Sequence, residues 1–237
     1  MFKGPFSESL LKKAQEKGLI SINLVNPRDH ATDKHKITDD SPYGGGAGMV
    51  MKVDVIVNAL RSIGKNTEHG TQNSEHRIIF LCPTGQPLTQ EKVNELSKLK
   101  SLTLICGHYE GIDERISNYV DEYISIGDYV LTGGELPAMV LVDSIARQIP
   151  GVIKEQDSVS NDSFFGGLLD HPSYTKPDTF EGESIPEVLK SGHHKEISAW
   201  RRKEALKKTL FNRPELFASI YLSKDDQKLI EELLING

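Results

Sequence analysis

The chain has 237 residues, enough for one or two domains with a buried core. Its hydrophobic fraction of 37%, charged fraction of 26% and net charge of −6 are those of an ordinary soluble protein. The net negative charge excludes the strongly basic composition of many nucleic-acid-binding proteins, but it does not exclude a local basic patch. The two cysteines have no metal-type spacing and indicate a reducing compartment. Because no apolar run approaches ~20 residues and no signal peptide is visible, we expect a cytoplasmic protein with no membrane partner.

The first two thirds of the chain alternate short apolar runs with helical patterns. The first predicted elements are a helix over 7–17 with Ser7 as its N-cap, a strand over 19–25, a helix over 53–63 and a strand over 77–82 that turns at Pro83. A helix from Thr89 to about Leu99, a strand over 102–106, a short helix over 112–118, a strand over 119–126, a strand-like run over 129–131 and a helix from about Leu136 follow. This alternation indicates an α/β fold with a parallel sheet covered on both faces.

The pattern changes after Gly151. Residues 154–167 are polar and rich in Gly, Ser and Asp, which indicates a linker. Helical patterns then follow at 185–190, 194–210, 213–221 and 224–234. We therefore expect a first domain over 1–153, a linker over 154–167 and a small all-α domain over 168–237.

Two glycine-rich loops follow predicted strands of this sheet. One spans residues 107–115 (GHYEGIDER), and the other spans residues 126–134 (IGDYVLTGG). Glycine lets a backbone turn through positive φ or approach a ligand closely. Two such loops at the ends of neighbouring strands predict one small-molecule site built largely from backbone.

The long polar segment over 26–48 contains two weaker signals. Its glycine cluster, residues 44–48, lacks both the Lys-Ser/Thr of a phosphate-binding loop and a dinucleotide fingerprint, so a flexible hinge and a substrate-closing loop both stay open. His30, Asp33 and His35 match no common zinc spacing, which favours solvated loop residues over a metal site.

The segment from His193 to Arg213 is locally basic. It holds seven Lys or Arg residues against two Glu, a net charge of +5, and a helix with this charge is suited to follow a phosphate backbone. The alternative is a solvated helix face. Trp200 within it is more typical of a core anchor than of a base-stacking platform. Composition alone assigns no catalytic role to Asp162 or Asp170, which are typical of turns.

Long motifs throughout the chain resemble those of bacterial tRNA (guanine-N1)-methyltransferases, a family of the knotted SPOUT superfamily. They are PRDHATDKHKITDDSPYGGGAGM (27–49), GHYEGIDERI (107–116), SIGDYVLTGGELPAMVLVDSIARQIPGV (125–152), GLLDHPSYTKP (167–177) and SGHHKEISAWRRKEAL (191–206). The resemblance implies an α/β fold whose parallel sheet carries a deep trefoil knot on its C-terminal side. A small all-α C-terminal domain would follow it.

The resemblance also implies the activity, which is methyl transfer from S-adenosylmethionine to N1 of guanosine 37 in tRNA, beside the anticodon. It implies a homodimer and a divalent cation, Mg²⁺, whose ligands it does not place. The residues implied to hold the cofactor are Leu81, Pro83, Gly107, Tyr109, Glu110, Gly111, Ser125, Ile126, Gly127, Tyr129, Leu131, Gly133, Gly134 and Pro137. Those implied to bind tRNA are Lys195, Arg201, Arg202, Lys207 and Lys208.

Asp162 and Arg147 are the catalytic residues that the resemblance implies. Guanine N1 carries a proton and is a poor nucleophile, so a base is needed, and Asp162 matches the family's base. Arg147 matches the arginine that orients this aspartate and offsets negative charge on guanine O6. An RNA ribose 2′-O-methyltransferase is one alternative, but it has no need of a base placed for guanine N1. A non-catalytic RNA-binding descendant is another, and it is disfavoured because both residues are present.

Two positions depart from the family pattern. Family members open with a strand that ends in a Leu/Phe-Pro-Glu-Met-Phe motif, whereas this chain opens at Met1-Phe2-Lys3-Gly4, so we expect that strand to be missing. Many members carry Arg where this chain has His108, and the role of that position would then depend on pH.

Overall fold

A computed structural model of the chain describes residues 1–64, 75–154 and 162–236. These form two compact units, Met1–Lys154 and Glu155–Gly237. Among the described residues, no helix is both long enough and apolar enough to cross a membrane.

The first unit is built on three parallel strands. β3 (His76–Pro87) lies between β4 (Ser101–Cys106) and β5 (Glu122–Ser125). Phe80 at the centre of β3 pairs with Ile105 on one side and with Tyr123 on the other. The three predicted strands and their parallel arrangement are therefore confirmed, although β5 is shorter than the pattern indicated. A separate antiparallel pair, β1 (Asp39–Asp40) and β2 (Val50–Met51), closes the base of the glycine-rich segment.

Both faces of the sheet are covered, as the apolar strands predicted. Ile78 and Phe80 face a cluster that includes α2 (Val53–Ser62) and the 3₁₀ helix Glu114–Tyr119. Ile79 and Leu81 face α3 (Gln90–Leu96) and α4 (Glu135–Ala146) on the opposite side. Full burial of one such side chain contributes about 1.5–3 kcal/mol, so the two clusters hold the strand ends in fixed positions.

The structure corrects the predicted turn at Pro83. The strand continues through a bulge, after which Gln86 and Pro87 pair with Ile124 and Ser125 of β5. Gly85 makes this path possible, because a Cβ atom there would lie 2.4 Å from the backbone nitrogen of Ile124. The close approach of two backbones, rather than a turn, explains this glycine.

Three other elements also differ from the predictions. Residues 19–25, all of them described, form no strand; their alternation reflects Ile20 and Ile22 packing onto α1 (Ser9–Glu16) and α4. The run over 129–131 is irregular, and the segment predicted as a helix over 112–118 is the 3₁₀ helix Glu114–Tyr119. α1 begins at Ser9 after a short 3₁₀ turn, so Ser7 is not its cap.

The second unit is mainly helical. It contains α5 (His194–Asn212), α6 (Lys224–Asn236) and the 3₁₀ helices Glu187–Lys190 and Pro214–Ser219. The all-α expectation was incomplete, because β6 (Thr179–Phe180) and β7 (Glu183–Ser184) form a hairpin. Its turn residues Glu181 and Gly182 both have positive φ, the geometry of a tight two-residue hairpin turn.

A buried carboxylate joins the two α-helices of this unit. Asp226 is 6% exposed and accepts two hydrogen bonds from Arg202, at 2.8 and 2.9 Å. It also accepts hydrogen bonds from the backbone and hydroxyl of Ser223 at the start of α6. These contacts, of which the one with Arg202 has the largest effect, hold the pKa of Asp226 at about 2. A carboxylate with a lowered pKa stabilises the fold at pH values above about 4, and this contribution is lost as the pH falls towards 2.

Replacing Asp226 with Asn should therefore destabilise the second unit by about 2 kcal/mol at pH 7. The fluorescence of Trp200, the single tryptophan of the chain and a residue of α5, reports unfolding of this unit in a denaturant titration of the full-length protein. Asp225→Asn, at the exposed neighbouring position in the same first turn, is the matched control and should leave the midpoint unchanged. Equal midpoints for both variants would contradict the buried ion pair's role.

Candidate active site

One cavity of about 250 Å³ lies at the carboxyl ends of the three parallel strands. This is the edge where open α/β sheets bind ligands. Every residue predicted to hold the cofactor lines it: Leu81, Pro83, Gly107, Tyr109, Glu110, Gly111, Ser125, Ile126, Gly127, Tyr129, Leu131, Gly133, Gly134 and Pro137. The two glycine-rich loops thus meet at one site, as their positions after neighbouring strands predicted.

The cavity exists because α4 begins directly against the end of β4. The backbone nitrogen of Gly134 donates to the carbonyl of Gly107 at 2.9 Å. A Cβ atom on Gly134 would lie 2.6 Å from the Cα atom of Cys106, closer than any side chain tolerates. Only glycine allows this approach, and it brings the loop after β4 and the start of α4 to the same wall of the cavity.

A second turn, after β5, is fixed by a hydroxyl. The Oγ atom of Ser125 accepts a hydrogen bond from the backbone nitrogen of Gly127 at 3.2 Å and donates to its carbonyl at 3.1 Å. Gly127 has φ +147°, and a Cβ atom there would lie 2.5 Å from Cε1 of Tyr129. Tyr129 and Tyr109 line the cavity and are 55% and 60% exposed, so two aromatic residues border it.

The charges around the cavity are mostly acidic. None of the described residues that line it is Lys or Arg, which argues against a phosphate-bearing ligand. Glu110 lines the cavity wall. The Oε1 atom of Glu135, at the start of α4, lies 2.5 Å from the Nε2 atom of His108. The arrangement fits a small ligand that carries positive charge and presents polar edges to backbone groups.

Gly48, the last residue of the glycine cluster over 44–48, lies against a residue of this cavity. A Cβ atom on Gly48 would lie 2.5 Å from the Cγ atom of Glu110, and the carbonyl of Met49 accepts from the backbone nitrogen of Glu110 at 3.1 Å. This contact places the end of the glycine cluster beside a cavity residue, and the two interpretations, a flexible hinge and a substrate-closing loop, both stay open.

The possible metal ligands upstream of this loop are engaged in local structure. Asp33 accepts hydrogen bonds from the backbone nitrogens of His35 and Ile37, at 2.9 Å each. Within residues 1–64, 75–154 and 162–236, no group of three His, Cys, Asp or Glu side chains is arranged to hold a metal ion. The divalent cation therefore stays a prediction without a ligand set.

The two predicted catalytic residues lie in different units. Arg147 is the half-buried C-cap residue of α4 in the first unit, and Asp162 is a half-buried residue near the start of the described part of the second. Asp162 begins a compact loop, in which its carbonyl accepts from the backbone nitrogen of Phe165 at 3.3 Å.

The predicted tRNA-binding residues all lie on α5. Lys195, Arg201, Lys207 and Lys208 are exposed there, whereas the guanidinium of Arg202 is paired with Asp226. Trp200 is half-buried, and the rings of His171 and Tyr174 lie 6.4 and 6.3 Å from it. These ring contacts are typical of an aromatic residue that anchors packing, and the exposed Tyr174 lies beside it.

Several lining residues were not among those predicted: Phe80, Cys82, His108, Ile124, Val130 and Thr132. Each is adjacent in sequence to a predicted residue, so its position was indicated but its side-chain direction was not. Only the register of β3 against β5 places Phe80 and Ile124 at the cavity.

Comparison with known proteins identifies relatives along nearly the whole chain. The family described as tRNA (Guanine-1)-methyltransferase TrmD matches residues 1–219. A protein of Pelotomaculum thermopropionicum is 50% identical over 235 residues, covering 99% of this chain and 92% of its own length. Proteins of Dictyoglomus turgidum and Endomicrobium trichonymphae are 52% and 53% identical, over 98% and 91% of this chain and 92% and 94% of their own lengths. All three are named tRNA (guanine-N(1)-)-methyltransferase.

The cavity predicts unequal reactivity of the two thiols. Burial, with the nearby Glu135 carboxylate, raises the pKa of Cys106 to about 12, so at pH 8 only about one molecule in ten thousand carries this thiolate. An aromatic disulfide reagent should therefore modify Cys82 in the native protein and Cys106 only after unfolding. Cys82→Ala should remove the native reaction. Equal rates for both native thiols would contradict the raised pKa of Cys106.

Proposed function

Because this chain belongs to the tRNA (guanine-1)-methyltransferase family, we propose that it moves a methyl group from S-adenosylmethionine to N1 of guanosine 37 in tRNA. The observation that supports this most strongly is that one cavity gathers every residue expected to hold the cofactor. The proposal includes the SPOUT fold, with a deep trefoil knot in the first unit and a helical tRNA-binding domain after a linker.

The cavity fits this cofactor by charge and by shape. S-adenosylmethionine supplies an activated methyl group on a positively charged sulfur, and it carries no phosphate that would need Lys or Arg. Glu110 offers an acidic wall, and the aromatic rings of Tyr109 and Tyr129 present faces that attract a cation. The backbone of the two glycine-rich loops that line the cavity supplies donors and acceptors for the edge of an adenine.

Asp162 removes the proton that makes guanine N1 unreactive. As N1 bonds to the methyl carbon and the carbon–sulfur bond breaks, the N1 proton passes to the Asp162 carboxylate. Arg147 orients this carboxylate and offsets the negative charge that develops on guanine O6. Because the target base must leave the anticodon loop to reach the cavity, the reaction includes base flipping.

A homodimer completes this site in our proposal, with the second unit of one chain serving the cavity of the other. α4 supports this, because it is apolar on more than its core-facing side. Ala138 and Leu141 are buried, whereas Leu136 and Val140 are 44% and 47% exposed. A second copy is the occupant that we assign to this exposed apolar face.

Asp162→Asn should lower single-turnover methyl transfer by at least about a hundredfold, because an amide cannot accept the proton. The affinity for S-adenosylmethionine, measured by calorimetry, should change less than about threefold, since the cofactor cavity lies in the first unit. Asp178→Asn, at an exposed position of the second unit, where Asp162 also lies, is the control and should keep full activity. Parallel loss of activity and cofactor affinity would overturn the role of Asp162 as the base.

Lys207→Ala combined with Lys208→Ala should weaken tRNA binding and lower the slope of log Kd against log salt by about two, one unit for each lost phosphate contact. Filter binding over a salt series measures this slope. Lys228→Ala, an exposed cation on α6, is the control. Arg202→Ala is unsuitable because it would also strand the buried Asp226. An unchanged slope would place the tRNA on another surface.

A further inference from the structure

The loop that carries Asp162 is closed on itself. We define the base loop as residues 162–170. The backbone nitrogen of Phe164 donates to the carbonyl of Leu168 at 2.8 Å, and the backbone nitrogen of Asp170 donates to the Oγ of Ser163 at 2.9 Å. The second bond joins the residue next to Asp162 to the far end of the loop. Asp162 is therefore part of a short ring of hydrogen bonds, and its position follows that of the whole loop.

A single buried hydroxyl fastens this loop to α5. Thr209 is 0% exposed, and its Oγ1 atom accepts a hydrogen bond from the backbone nitrogen of Leu169 at 2.9 Å. The same hydroxyl donates to the carbonyl of Ala205 at 2.7 Å, which fixes its orientation. A threonine is a poor helix former in a helix interior, so this position is explained by the contact and not by helix propensity.

Two further contacts of the base loop involve residues that follow α5 in sequence. The guanidinium of Arg213, the residue that follows the helix, lies 5.6 Å from the centre of the Phe164 ring. Gly167 has φ +78° and packs against Ile220, whose Cγ2 would lie 2.0 Å from an added Cβ atom. The hydrogen bond that Thr209 accepts from the backbone nitrogen of Leu169 adds a directional contact between the base loop and the helix itself.

The same turn of α5 carries cations on its outer side. Lys207 and Lys208 are exposed, whereas Leu206 and Thr209 are buried. One rigid helical turn thus holds the base loop on its buried face and presents phosphate-binding side chains on its exposed face. A phosphate backbone bound by these cations would be placed at a fixed distance from Asp162.

We propose that Thr209 is a positioning residue for methyl transfer, since its hydroxyl sets the place of the base loop relative to the tRNA-binding face of α5. This inference rests on the proposed function. The competing account is that the hydroxyl only satisfies a buried amide, in which case its loss would lower stability and every activity of the second unit together.

Thr209→Val and Thr209→Ser test the difference in the full-length protein. Valine keeps the shape and removes the hydroxyl, whereas serine keeps the hydroxyl. With saturating S-adenosylmethionine and tRNA, Thr209→Val should lower the single-turnover rate constant about tenfold or more, because small displacements of a catalytic group have large effects. Thr209→Ser should stay within about threefold of wild type. The tRNA Kd of both variants should change less than about threefold.

Ser163→Ala provides a second test, at a half-buried residue that lies in the base loop and not in α5. It removes the bond to the backbone of Asp170, so the rate constant should again fall while the tRNA Kd and the unfolding midpoint hold.

A wild-type rate for Thr209→Val, or equal losses in rate, tRNA affinity and Trp200-monitored stability, would overturn the positioning role. Wild-type protein assayed alongside separates the two proposals. If wild type itself does not methylate the guanosine 37 transcript, the proposed function fails; if only the Val/Ser contrast is absent, this inference fails.

Discussion

The contact between the start of α4 and the end of β4 is the constraint on which the site depends. Gly134 lies so close to Cys106 that no side chain fits between the two backbones. This approach brings the loops after β4 and β5 to one cavity, and partial burial raises the pKa of the Cys106 thiol. The two apolar clusters, one on each face of the sheet, hold the strands that set this distance. The packing of the core therefore also sets the geometry of the site.

The sequence predicted the parts of this arrangement that depend on local pattern. The three parallel strands, α2, α4 and the capped start of α3 followed from apolar periodicity, glycine positions and Thr89. The gathering of both glycine loops at one cavity followed from their places after neighbouring strands. Resemblance supplied the identity of the individual lining residues, which neither periodicity nor composition would have given.

Other features depend on contacts distant in sequence, and local pattern misread them. Residues 19–25 alternate like a strand because Ile20 and Ile22 pack on helices. Pro83 resembled a turn, yet β3 continues because β5 approaches at Gly85. The buried partners of α5 were equally hidden, since nothing in the sequence near Arg202 or Thr209 points to Asp226 or Leu169. This single helix presents cations outward while its other side chains fasten α6 and the loop of Asp162.

The most direct measurement of the central claim is single-turnover transfer of a labelled methyl group from S-adenosylmethionine to two tRNA transcripts that differ only at position 37. We expect label in the guanosine 37 transcript and none in the adenosine 37 transcript, with the label recovered as 1-methylguanosine after digestion. Equal labelling of both transcripts, or recovery of a ribose-methylated nucleoside, would contradict guanine N1 as the target. Absence of label from both would contradict the proposed methyl transfer itself.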